Sequence, residues 1–255
     1  MCILFVAIEQ HPEYPLIIAA NRDEFFNRPS RGLHYWEDYP NILAGRDMLA
    51  GGSWLGVNYN NRISAVTNLR RPEPTRDDAR SRGDLIARYL RDDDSDAAFS
   101  KFLQNEAQDY NPFNLLFGDR KQLMVFSSVE KSLQKLTPGY HAISNGDLDE
   151  PWPKMSRGTL AIKELISENR ELRASEFFRL MRDSTQASLQ TLPDTGVSQT
   201  LELKLSSIFI ESDQVYGTRS TSVLFFGNEQ LDFHEVNYTP VGGREKVTHV
   251  THPYV

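Results

Sequence analysis

Cys2-Ile-Leu-Phe-Val-Ala-Ile8, His11-Pro-Glu-Tyr-Pro15, Leu16-Ile-Ile-Ala-Ala20 and Asn21-Arg-Asp-Glu24 decide the fold. The first run is continuously apolar and partly β-branched, the pattern of a strand buried on both faces. Two prolines then fix φ and remove backbone donors, which makes a turn. Leu16 to Ala20 reads as a second buried strand, hairpinned to the first and ending in Asn21 to Glu24. Working outward, Gly51-Gly52 turns into a strand over Ser53 to Asn58, and Asn60-Asn61 turns into another over Arg62 to Asn68. Leu85, Ile86, Tyr89 and Leu90 mark an amphipathic helix over Arg82 to Arg91. Ser95 caps a second helix that runs through Leu103. Strand-like pieces follow at 113–117, 122–127, 133–136 and 140–144, and helices at 154–168 and 175–184. The end is β again, at 207–210, 221–226 and 231–238. Blocks of strands and helices in this order predict an α+β fold, a layered sandwich rather than a parallel βαβ array. With no linker-like stretch, residues 1–255 are expected to form a single domain.

The 255 residues carry 28 Lys+Arg against 35 Asp+Glu, a net charge of −7. An acidic chain of ordinary globular composition is not built to hold a phosphate backbone, so no nucleic-acid partner is expected. The longest apolar run, Cys2 to Ile8, is far short of the roughly 20 residues that span a bilayer, and it lacks a basic leader. No transmembrane segment and a cytoplasmic location are expected. A single cysteine excludes an internal disulfide framework and a thiolate zinc cage. The six histidines show no His-Glu-x-x-His spacing. His249 and His252, near the C-terminus, read as surface residues, and no metal is expected.

The single cysteine is residue 2. Removal of Met1 would leave its thiol beside its own α-amine, groups that titrate at about 8.5 and about 8 and exchange a proton cheaply. Gly51-Gly-Ser-Trp-Leu-Gly56 lacks the glycine that a serine nucleophile elbow needs two residues after the serine. It is a glycine turn whose Trp54 can line a pocket mouth. Arg70, Arg71, Arg76, Arg80 and Arg82 are interleaved with acids and read as a solvated loop.

Cys2, Ala19-Ala-Asn-Arg-Asp-Glu24, Thr67-Asn68, Ser144-Asn145-Gly146 and Tyr216-Gly-Thr-Arg-Ser-Thr-Ser222 together resemble the NRDE-motif family, which includes the transport and Golgi organisation protein 2 proteins. That family is in turn similar to N-terminal-nucleophile hydrolases of the choloylglycine hydrolase type. The resemblance implies a four-layer αββα sandwich with Cys2 at the end of a central strand. It implies Cys2 as nucleophile, Asp23 as the carboxylate that orients the amine, Asn68 and Asn145 as oxyanion donors, and Arg219 as a cation favouring the thiolate. Asn21, Arg22, Glu24, Trp54 and Thr218 are the implied substrate-binding residues. One departure is visible: bile-salt hydrolases place an arginine three residues before the aspartate, where this chain has Ala20. Period-2 alternation points Arg22 to the face opposite Asp23. Two functions follow from the resemblance. One is hydrolysis of a small amide or thioester acyl substrate without a cofactor. The other is a non-enzymatic carrier of haem or an acyl lipid in the same pocket, with haem as ligand.

Overall fold

The computed structural model describes residues 2–73, 75–92, 94–168, 171–241, 243 and 247–254. In chain order the first strands are β1 (Cys2–Ile8), β2 (Leu16–Phe25), β3 (Ser30–Tyr35), β4 (Ile42–Asp47), β5 (Leu55–Asn58) and β6 (Arg62–Asn68). Helices α1 (Gly83–Arg91) and α2 (Asp96–Glu106) follow. Next come β7 (Phe113–Asp119), β8 (Leu123–Ser127), β9 (Ser132–Lys135) and β10 (Gly139–Ile143). Helices α3 (Pro153–Glu168), α4 (Ala174–Leu180) and α5 (Gln199–Lys204) precede β11 (Tyr216–Phe226), β12 (Gln230–Asn237) and β13 (Thr248–Pro253).

These elements make two compact units, each assembled from separated stretches of chain. Residues 1–27, 70–73 and 137–253 form the first, and 28–69, 74–136 and 254–255 form the second. The first unit is a six-stranded sheet ordered β10-β1-β2-β11-β12-β13, antiparallel throughout. Alternation sends Ile3, Phe5 and Ala7 of β1, Ile17 and Ala19 of β2, and Val223 and Phe225 of β11 to one face. There they bury against Met155, Ile162 and Ile166 of α3 and Phe177 of α4. Gly158 lets α3 approach closely, because a Cβ there would collide with the Phe5 ring.

The second unit is a seven-stranded antiparallel meander in chain order, β3 to β9. Leu85, Ile86, Tyr89 and Leu90 of α1 and Phe99 and Leu103 of α2 pack on Phe113, Leu115, Phe117 and Phe126. Ser95 caps α2 as its sequence position implies, its Oγ accepting from the Ala98 N–H at 3.2 Å. Each unit is therefore a sheet carrying its own helices. Together they supply the two sheets and two helix layers of the expected α+β class.

Several elements differ from the sequence reading. β2 does not stop at Ala20: it runs through Asn21 to Glu24 and ends at Phe25, because β11 pairs with it over that whole length. Residues 207–210 form no strand; the Asn21 and Thr218 side chains and the Asp183 and Thr218 backbones take their backbone groups instead. β3, β4, β13 and α5 were not anticipated. β3 mixes charge with a register break between Arg31 and His34, which hides the alternation on which recognition of a strand depends.

Candidate active site

Cys2 opens β1 and stands directly opposite Arg22 of β2. Arg22 in turn faces Ser220 of β11, and Ser220 faces Asn237 of β12. Directly opposed residues share a face, so this is a polar row across four strands. Cys2 is half-buried, and burial pushes its thiol above the ordinary range. Asp23 adds to that rise, while Arg22 and the Asp23 backbone N–H oppose it. Arg22 is thus a cation acting on the sulfur.

Asp23 pairs with Thr218, and the Thr218 hydroxyl donates to its Oδ1 at 2.7 Å. The same hydroxyl accepts the Ile210 N–H at 2.9 Å. Between Thr218 and Ser220 the β2–β11 register shifts by one residue, and that extra residue is Arg219. A bulge resets the in–out alternation. It turns Thr218 to the face of Asp23 and Ser220 to the face of Arg22. The Arg219 guanidinium donates to the Phe25 and Phe26 carbonyls at 2.8 and 3.4 Å. It was expected to lower the thiol; the bulge commits it to the β2 terminus instead. Asp23 is buried, and desolvation raises its carboxyl to about 6 against the opposing pull of the Thr218 hydrogen bond and the Lys154 ammonium.

Asn145 is fully buried just beyond β10. Its Oδ1 accepts from Lys154 Nζ at 3.2 Å, Ser144 Oγ at 3.3 Å and the Arg70 guanidinium at 3.4 Å. Fixing the oxygen among these donors fixes the direction of the amide N–H₂ as well. Ser144 Oγ also donates to the Cys2 carbonyl at 3.0 Å, which ties this loop to β1. Lys154, in the first turn of α3, is buried, and desolvation lowers it to about 8 although Asp23, Cys2 and Glu202 favour its charge. The sequence reading missed Lys154, since a lysine in the first turn of an amphipathic helix is ordinarily solvated. Arg70 is buried against Glu202 at 2.5 Å, and Glu202 also accepts the Thr195 N–H at 3.0 Å. An open, mostly polar cleft of ≈ 360 Å³ is lined by Arg70, Arg71, Asp147, Glu150, Trp152 and Thr195, among others.

The structure thus gathers Cys2, Arg22, Asp23, Asn145 and Thr218 in the first unit, with Arg219 on the bulge beside them. Asn21 is hydrogen-bonded within the fold through both ends of its amide. Its amide donates to the Met181 and Ile208 carbonyls at 2.8 and 2.9 Å, and its oxygen accepts from Thr221 at 2.6 Å. Thr218 likewise positions Asp23 and residue 210. Glu24 is half-buried and accepts its neighbour Phe25's N–H at 2.8 Å. Asn68 and Trp54 belong to the second unit. Asn68 ends β6 opposite Phe113, and the Trp54 indole covers Gly45, where a Cβ would strike it. Ser220 was missed too: its buried Oγ makes no hydrogen bond with a described residue.

Comparison with known proteins adds family and fold. The family description "Transport and Golgi organisation 2" matches residues 1–240. The chain is 31% identical to the Transport and Golgi organization 2 homolog of Mus musculus over 258 residues, covering 92% of each chain. Its fold is similar to that of a cysteine-to-alanine variant of conjugated bile acid hydrolase from Clostridium perfringens. The TM-score is 0.55 at 10% identity, over 98% of this chain and 92% of that one. It is also similar to penicillin V acylase from Agrobacterium tumefaciens, with TM-score 0.53 at 13% identity over 91% and 82% of the two chains. Among the described residues no helix is long and apolar enough to cross a membrane.

Proposed function

The chain belongs to the Transport and Golgi organisation 2 family, and we propose that it is an N-terminal-cysteine hydrolase of a small amide or thioester acyl substrate. One observation carries the reading. A thiol, a buried carboxylate, a buried ammonium and an amide of fixed direction converge where β1 begins, on a fold also found in an acylase and a bile acid hydrolase. In the Met-free chain the Cys2 α-amine takes the thiol proton, and Sγ attacks the substrate carbonyl. Asp23 holds the resulting ammonium. The Asn145 amide donates to the oxyanion, with Lys154 anchoring Asn145 from behind. The ammonium then protonates the leaving amine or thiol, and the C–N or C–S bond breaks to leave an acyl-enzyme. Water, deprotonated by the amine, attacks that thioester and returns the acid and free Cys2. The single thiol and the acidic surface suit a cytoplasmic setting and a small-molecule partner.

A second reading, a carrier of an acyl ligand in the same place, is favoured by the upward shift of the thiol, which keeps Sγ protonated. That shift speaks against haem, whose axial bond to Cys2 requires a thiolate. Met-free Cys2→Ser separates the readings. A hydrolase keeps ligand binding and loses turnover of acyl amides and thioesters, because an alcohol is scarcely ionised at neutral pH. An acyl carrier retains its function nearly intact. A haem carrier loses binding, and its Soret band shifts. Failure of the Met-free wild type to turn over any of a panel of acyl amides and thioesters, while binding and releasing a ligand unchanged, ends the hydrolase reading.

A further inference from the structure

Away from Cys2, β12 and β13 bring a second group of chemistry-bearing side chains together. His234 stands opposite His249, and Asp232 opposite Thr251. Residues two apart on a strand share a face, so these four form a square on one side of the ladder. The two imidazole rings lie parallel, with centroids 4.0 Å apart and planes 6° apart. His249 Nε2 and the Thr251 hydroxyl both meet Asp232 Oδ1, at 2.9 and 2.7 Å. One ligand atom from each of Asp232, His234 and His249 lies within 4.8 Å of the others. Neither ring nitrogen of the half-buried His234 hydrogen-bonds to a described residue.

We infer that Asp232, His234 and His249 bind a borderline divalent transition cation of the Zn(II) class. Two imidazoles and one carboxylate are the ligand types such ions prefer, whereas Ca(II) and Mg(II) ask for oxygen alone and Cu(I) for soft sulfur. Metal–nitrogen bonds of about 2.0 Å place tetrahedral ligand atoms roughly 3.3 Å apart. The three donors therefore close by up to about 1.5 Å, a movement that rotation about the side-chain torsions supplies without shifting the ladder. The hydrogen-bond partners that steady a metal ligand are already in place. Gln230 Nε2 donates to Asp232 Oδ2 at 3.1 Å, and Thr251 holds the other oxygen. The remaining coordination positions fall to water. Bound there, the ion clips β13, the last strand of the sheet, to β12.

The test is titration of the full chain with Zn(II) in competition with a chromophoric chelator, followed by Co(II) absorption. One saturable site is expected, with a Co(II) d–d spectrum free of thiolate charge transfer. Affinity should fall at least about tenfold in Asp232→Asn and in His234→Ala, since even outer-shell losses cost that much. It should be unchanged in His141→Ala, whose imidazole pairs with Asp149 elsewhere on the sheet. Zn(II) should also raise the Tm of wild type and not of His234→Ala. Absence of saturable binding overturns the proposal. So does binding that survives His234→Ala with His249→Ala, or that vanishes with Cys2→Ser. The Co(II) spectrum of the wild type decides the matter even if a variant fails to fold.

Discussion

Asp23 accepts the Thr218 hydroxyl and feels the Lys154 ammonium, yet desolvation outweighs both and holds its carboxyl at about 6. An unfolded aspartate titrates near 3.9. The folded state therefore binds this proton more tightly, so the contribution of Asp23 to stability is complete below pH 4 and is lost as pH climbs through 6. A shift of that size corresponds to at most about 3 kcal/mol. Asp23→Asn should track wild type in urea unfolding at pH 4 and gain on it by up to that amount at pH 7. The same variant should speed alkylation of Cys2 at pH 8, because Asp23 raises the thiol, and should abolish turnover of acyl substrates. Equal stability differences at both pH values would mean that the folded carboxyl is not raised above its unfolded value. Cys2 was legible in the sequence because the apolar run it opens reads as a buried strand, and Asp23 because it lies in the stretch that resembles the NRDE-motif family. Lys154 was not, since only the tertiary fold, by setting the first turn of α3 over Asn145, makes a helical lysine a buried group.

At the level of elements, the β11 bulge decides which face each polar residue serves. Arg219→Ala removes two hydrogen bonds to carbonyls at the end of β2, worth about 1 kcal/mol each. The alkylation profile of Cys2 against pH should stay where it is in this variant. Arg22→Ala should move the profile upward, because Arg22 is a cation that stabilises the thiolate. An upward shift in Arg219→Ala and none in Arg22→Ala would restore the role first expected of Arg219. β1, an uninterrupted apolar run, and β6, set off by the Asn60-Asn61 turn, were readable to the residue. The extension of β2 through Asn21 to Glu24 was not readable. Polar residues there become strand only because Thr221, Met181 and Ile208 satisfy Asn21, and Thr218 satisfies Asp23. A bulge leaves no mark on a sequence, because it is a mismatch between two partners.

For the molecule as a whole, the buried Arg70–Glu202 pair fastens the short stretch 70–73 into a unit otherwise built from residues 1–27 and 137–253. Removing one partner leaves the other charge buried and uncompensated, a loss of about 3–5 kcal/mol. Glu202→Ala and Arg70→Ala should each lower unfolding stability by that amount. Arg70→Met with Glu202→Leu should cost clearly less than the sum. Additive losses would show that the pair is solvated rather than buried. The α+β class was legible from the order of strand and helix blocks. The interleaving of two units was not, because it depends on which distant segments meet rather than on any linker.

That interleaving also sets a timetable. Thr218 follows Asp23 by 195 residues, and β11 is the strand that completes the pairing of β2. At synthesis rates of about 5–20 residues per second, the emerging β1–β2 hairpin waits roughly 10–40 s for that partner. Throughout that interval one edge of β2 is an open template for foreign strands, and the carboxyl of Asp23 is an ordinary solvated acid. The site is therefore assembled late, and a nascent chain stalled before β11 carries its cysteine without the hydroxyl that orients its acid.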